Sequence, residues 1–257
     1  VSLLWRERLD VLLAPERVDT LRRPRFSRRG QGESATHTLS STATEAAREE
    51  WREPLARLAG LSMAEGMDLG LVLSSCFCRF QLLPWMEEVQ SADERKAYGA
   101  IHFREVYGPA ADVWEIMVSE EAPGLPSLAC AVDRALLEAL RSLAVEKACR
   151  LVSVQPALAL AWNQWRSRLT GTGGSLALAE PGAVVLASVA DGRWLSVCTR
   201  RLAGISLAEA LAALQEEQEI SGDPPVSGAP CCLAQTEEAA RFVPGWLALP
   251  GSWRDWP

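Results

Sequence analysis

Apolar and polar residues alternate along "RLDVLLA" and again along "RVDTLRR", with Pro15 and Glu16 between them. That pattern predicts two antiparallel strands joined by a tight turn. The alternation then stops. From 24 to 44 the chain reads "PRFSRRGQGESATHTLSSTAT", rich in Ser, Thr, Gly and Arg with almost nothing to bury, which predicts a mobile loop. His37 falls inside it and reads as solvated. Helical spacing returns over 45–59, where Trp51, Leu55 and Leu58 share a face. A second helix follows "SADE", in which Ser91 and Glu94 form a capping box, and it stops at Gly108-Pro109. His102 lies within this helix beside Phe103 and reads as a surface or partly packed side chain. Strands are predicted at "DVWEIMV", "SLACAVD" and "RLVSV". Asp133 caps a helix from 134 to 148, and Pro156 opens another with Leu158, Trp162, Trp165 and Leu169 along one stripe.

"TGTGG", residues 170–174, divides the chain. Beyond it "SLALA", "AVVLASV" and "RWLSVCTRRL" are separated by Glu180-Pro181-Gly182 and Asp191-Gly192, which predicts three antiparallel strands. A helix over 206–219 opens with a second capping box, Ser206 and Glu209. "APCCLA" reads as a final strand and "TEEAARF" as a short helix. The tail carries Trp246, Trp253 and Trp256 among turn formers.

Cysteine placement bears on chemistry. In "CFCRFQL" the alternation puts Cys76 and Cys78 on the face that also holds Phe80 and Leu82, a position for buried thiols. A structural zinc needs about four ligands. The other cysteine pair, Cys231-Cys232, points to opposite faces of its strand. Seven cysteines without framework spacing fit a reducing compartment. A metal or redox site at Cys76 and Cys78 is the alternative to packing.

The formal charge of -7 on 257 residues carries no footprint for nucleic acid. Eight arginines between Arg6 and Arg29 face only four acids, an excess that suits either an acidic partner or plain solvation. No apolar run reaches the roughly 20 residues that cross a bilayer, and no signal peptide opens the chain, so a cytoplasmic location is expected. Adjacent acids such as Glu87-Glu88 do not converge on one substrate, and two histidines are few for acid-base work.

"VLSSCFCRFQLLPWMEEVQSADERKAYGAIHFREVYGPAADVWEI" resembles a stretch of the cytoplasmic actin-like domains of the type II secretion platform protein GspL and the type IV pilus assembly protein PilM. "SLACAVDRALLEALRSLAVEKACRLVSVQPALALAW" resembles the strand-helix-strand-helix unit that follows in that family, and the meander from 175 resembles the start of its second lobe. The resemblance spans roughly 9–234 as an order of elements. It implies an α/β, two-lobed actin-like (ribonuclease-H-like) fold with mixed sheets. The first lobe would cover 1–170, and a second, smaller lobe with the tail 171–257.

The departures from that family concern phosphate. Actin-like ATPases cradle phosphates with Asp-x-Gly hairpins, where glycine lets the backbone approach. Here "LLAPERVDTL" has no glycine, and Glu180-Pro181 stands where the second Asp-Gly step is expected. The resemblance therefore implies a non-catalytic scaffold with no catalytic residue, cofactor or metal. Its partner would be an inner-membrane assembly-platform protein or a secretion ATPase, met at the inner face of the inner membrane, and a homodimer is compatible with it. Trp85, Trp246, Trp253 and Trp256 are the partner-binding candidates. The alternative is an ATPase with an altered phosphate loop, taking metal at Glu16 or Asp19 and phosphate at Gly182 or 171–174.

Overall fold

The computed structural model describes residues 7–24, 32–39, 50–169, 173–191, 193–202, 204–220, 230–234, 246–249 and 253. The first hairpin forms as its alternation predicts. Strands β1 (Arg8–Ala14) and β2 (Arg17–Arg23) pair antiparallel across the Pro15-Glu16 turn. A third strand, β3 (Glu33–Thr38), continues this meander on the free edge of β2. The loop expected over 24–44 is corrected there. "ESATHT" is polar because it lies on an edge and stays largely exposed, so its order comes from backbone pairing rather than from burial. His37 approaches the Arg57 guanidinium at 3.5 Å. Residues 25–31 and 40–49, including the start expected for the first helix, lie outside the described residues.

Strands β4 (Asp68–Leu73) and β8 (Arg150–Pro156) complete the sheet in the order β3-β2-β1-β4-β8, with β1, β4 and β8 parallel. β1 and β4 are apolar almost throughout because both faces of this sheet are covered. Helices α1 (Arg52–Ala59), α3 (Arg134–Glu146) and α4 (Ala157–Leu169) supply the cover. Asp133 caps α3, its carboxylate accepting from the Ala135 N–H at 2.8 Å.

Between β4 and β8 the chain builds a separate three-stranded antiparallel sheet, ordered β5 (Cys78–Leu83), β7 (Ser127–Asp133), β6 (Trp114–Val118). Helix α2 (Ala92–Tyr107) packs on one face of it. The predicted capping box is present, with the Glu94 carboxylate accepting from the Ser91 N–H at 2.8 Å. Gly99 permits the close approach, since a Cβ there would meet Ile116 at 3.1 Å. The strand expected from 112 starts at Trp114, after a 3-10 turn over Gly108–Val113.

The expectation that Cys76 and Cys78 share a strand face is also corrected. Ser75–Phe77 forms a 3-10 turn, capped by the Ser74 hydroxyl accepting from the Cys76 N–H at 3.2 Å. The chain passes from one sheet to another at this point, so the strand begins only at Cys78. From there Cys78 and Phe80 face the main core, with Cys130 and Val132 of β7.

The second sheet repeats the first. Strands β9 (Gly174–Glu180), β10 (Ala183–Ala190) and β11 (Arg193–Arg201) form an antiparallel meander, and β12 (Cys231–Ala234) and β13 (Leu247–Ala248) follow in parallel with β9. The order β11-β10-β9-β12-β13 mirrors β3-β2-β1-β4-β8 strand for strand. Helix α5 (Leu207–Ile220) covers one face, burying Ala210, Leu211 and Leu214. The other face packs on α4: the rings of Trp162 and Trp194 lie 4.3 Å apart, and Trp165 is buried in the same core. One apolar core thus runs from Leu9 and Leu71 to Leu176, Val185 and Trp253. Cys231 faces it while Cys232 faces α5, the opposite orientations that a strand dictates. No helix among the described residues is long and apolar enough to cross a membrane.

Candidate functional site

The two β-hairpins that would hold phosphate in an actin-like ATPase lie at the seam between the two sheets. Glu180 ends β9, and Gly182 takes φ of 81°, a left-handed conformation that suits glycine in so short a turn. The Glu180 side chain is turned inward and 4% exposed. Its carboxylate accepts from the Ser75 N–H at 2.9 Å, at the start of the 3-10 turn of the other sheet. Burial pushes this carboxyl up to about 7, against the opposing pull of hydrogen bonds from Ser75 and Ser74 and the charge of Arg17. Three further contacts close the seam. Arg201 of β11 donates to the Cys76 carbonyl at 3.0 Å and pairs with Glu50 at 2.9 Å. The Cys76 thiol lies 3.9 Å from the Pro181 carbonyl.

A nucleoside triphosphate does not fit the described residues at the seam. Its phosphates need open backbone amides and compensating cations. Here the Ser75 amide is taken by a carboxylate of the chain itself, and the turn at Gly182 is packed against Cys76. On the first hairpin, Asp19 is 1% exposed and ion-paired with Arg17 at 3.0 Å. Gly173 is needed for packing, since a Cβ there would sit 3.0 Å from the Val189 carbonyl. Gly171 and Thr172 lie outside the described residues.

The cysteines at the seam are held as thiols. Burial pushes the Cys76 thiol up to about 11, and hydrogen bonding with Cys130 together with burial raises Cys78 as well. Thiolates are what metals and oxidants meet. Among the described residues no three His, Cys, Asp or Glu side chains cluster as a metal site.

Beside the closed seam lies an open groove of about 320 Å³. Trp51 before α1, Phe77 in the 3-10 turn, Val113 and Trp114 at the start of β6, and Leu136 of α3 make its apolar wall. Glu50, Arg79 and Asp133 add polar groups, and Val113 is 57% exposed. Apolar side chains set beside the charged Glu50, Arg79 and Asp133 suit a short peptide segment more than a triphosphate. Sequence reading missed this groove. Trp51 was legible as a helix face, but nothing local joins it to Trp114.

Those of the tryptophans proposed from sequence that lie among the described residues do not converge. Trp85 is 44% exposed on the loop after β5, where it lines a different groove. Trp246 is half-buried against the α5 cluster. Trp253 is 3% exposed and belongs to the main core, so packing rather than docking is its role. Trp256 lies outside the described residues. The arginine-rich segment also has internal partners: Arg8 and Arg23 hold Asp10, Arg17 holds Asp19, and Arg22 donates to the Ser62 carbonyl.

Solved structures show this architecture to be the actin-like ATPase fold. The PilM-PilN type IV pilus biogenesis complex matches with a TM-score of 0.64 at 11% identity, over 95% of this chain and 88% of that one. The cytoplasmic domain of EpsL (GspL), an inner membrane component of the type II secretion system of Vibrio cholerae, matches with a TM-score of 0.56 at 14% identity, over 96% and 87%. A Bacteroides thetaiotaomicron protein of actin-like ATPase fold and unknown function gives 0.56 at 10% identity, over 95% and 91%. No family model matches the chain, and no curated protein matches its sequence. At such identities the likeness is one of fold.

Proposed function

We propose that this chain is a non-catalytic scaffold of a type IV pilus or type II secretion assembly platform. It holds a short cytoplasmic segment of an inner-membrane partner in the groove walled by Trp51, Phe77, Val113 and Trp114. The observation that carries this reading is the Glu180 carboxylate on the Ser75 amide: an internal acid sits where an anionic ligand would have to go, while an apolar groove stands open beside it. The fold supports the same reading, since it is shared with PilM in complex with PilN and with the cytoplasmic domain of EpsL. The work of the chain is then recognition at the inner face of the inner membrane, with no bond made or broken.

A photo-crosslinking amino acid at Val113, placed in cells, tests the assignment. The expected product is a single crosslink to the cytoplasmic segment of an inner-membrane protein, lost when Trp114→Asp is added. Crosslinks only to cytosolic enzymes, or none above background, would overturn it.

A further inference from the structure

The loop after β5 turns its two largest apolar side chains outward. Trp85 is 44% and Met86 39% exposed, just beyond Pro84. With Leu83, Tyr98 and Val118 they line a groove of about 240 Å³ between the start of α2 and the end of β6. This is the far end of the small sheet. β6 runs from Trp114, in the groove described above, to Val118, in this one, a span of roughly 13 Å at strand rise. The two grooves share no lining residue.

Charge decides what this second groove suits. The segments 84–96 and 118–123 carry Glu87, Glu88, Asp93, Glu94, Glu120 and Glu121 against Arg95 and Lys96. Both cations are engaged: Arg95 donates to the Gln90 carbonyl at 2.8 Å and faces Glu120 at 3.6 Å, and Lys96 pairs with Glu115. The Glu120 side chain is 84% exposed at the rim. An exposed tryptophan edged by acids is complementary to a cation next to an apolar anchor, because opposite potentials steer the encounter while the buried ring supplies affinity. An anionic bilayer surface meets the wrong sign here.

We propose that this groove docks a protein segment that carries Lys or Arg beside a bulky apolar side chain, the apolar group lying against Trp85 and the cation meeting Glu120 and Glu121. Segments of that composition flank membrane helices on the cytoplasmic side. The site does not depend on the Trp51 groove, and either can fail alone.

The test is nitrogen-15 NMR of the tryptophan indole N–H groups, with Trp85 assigned through Trp85→Phe. The probes are two synthetic peptides of equal length, one of Lys, Leu and Phe, the other with Glu for every Lys. The Lys peptide should move the Trp85 resonance saturably and the Glu peptide should not. Glu120→Lys with Glu121→Lys should weaken the Lys peptide by about tenfold or more, the loss expected for removing two facing charges. Reversal of Glu138 and Glu146, exposed on α3, should leave it unchanged. A stationary Trp85 resonance overturns the proposal. So does equal weakening by both reversals, which would mean attraction to net charge alone.

Discussion

Glu180 and Ser75 stand 105 residues apart in the chain and meet across the seam, the carboxylate accepting from the backbone N–H at 2.9 Å. The contact joins the end of β9 to the turn before β5, so one carboxylate ties the second sheet to the first. Such a buried acid has consequences that can be measured.

The first is a pH dependence. Burial raises Glu180 from its ordinary 4.5 to about 7 in the folded protein. The folded state therefore holds this proton more tightly than the unfolded state does. The contribution is fully present below about pH 4.5 and is lost as pH rises through about 7. Between pH 5 and 8 the group should cost the protein about 2–3 kcal/mol of stability. Urea unfolding across that range should show the decline in the wild type and a flatter profile in Glu180→Gln. Parallel profiles would place the titration elsewhere.

A second prediction concerns Gly70 on β4. A Cβ there would lie 2.5 Å from the Asp10 carboxylate and 3.0 Å from the Arg8 guanidinium. Gly70→Ala must push apart the ion pairs that Asp10 makes with Arg8 and Arg23. A loss of about 2–3 kcal/mol is expected in chemical denaturation. An unchanged midpoint would mean that Asp10 can move at no cost.

Two tryptophans should behave oppositely. Trp253→Ala removes a ring buried in the main core and should cost about 3–5 kcal/mol. Trp85→Ala removes an exposed ring and should leave the melting temperature nearly unchanged. Equal losses would contradict the distinction between core and surface drawn for them.

A fourth prediction tests the cap of α2. Ser91 accepts from the Glu94 N–H while Glu94 accepts from the Ser91 N–H. Ser91→Ala should cost about 1 kcal/mol and speed hydrogen exchange in the first turn of α2 alone.

These residues also show what the sequence made legible. The capping boxes at Ser91 and Ser206 were readable because each is local, a side chain bonding to a backbone three residues away. The hairpins around Pro15-Glu16 and Pro181-Gly182 were readable for the same reason. β3 was not: its polar residues carry no burial signal, and only the edge of β2 makes them a strand. The 3-10 turn at Ser75 was hidden because alternation across 76–82 continues through a point where the chain changes sheets. The first hairpin tip has no glycine and the second has Glu180-Pro181 where an Asp-Gly step is expected, and that much was written in the sequence. The inward turn of Glu180, and the groove assembled from Trp51, Phe77, Val113 and Leu136, depend on contacts between distant segments that no local pattern records.

Whether the seam accepts a nucleotide separates a scaffold from an ATPase most directly. A ligand that binds only the folded protein stabilises it by roughly 2.7 kcal/mol at a hundred times its dissociation constant, or about 5–10 °C in melting temperature for a chain of this size. Melting the protein with and without millimolar Mg-ATP therefore decides the matter. An unchanged midpoint is the result predicted for a seam closed by Glu180, and an upward shift of several degrees would contradict it.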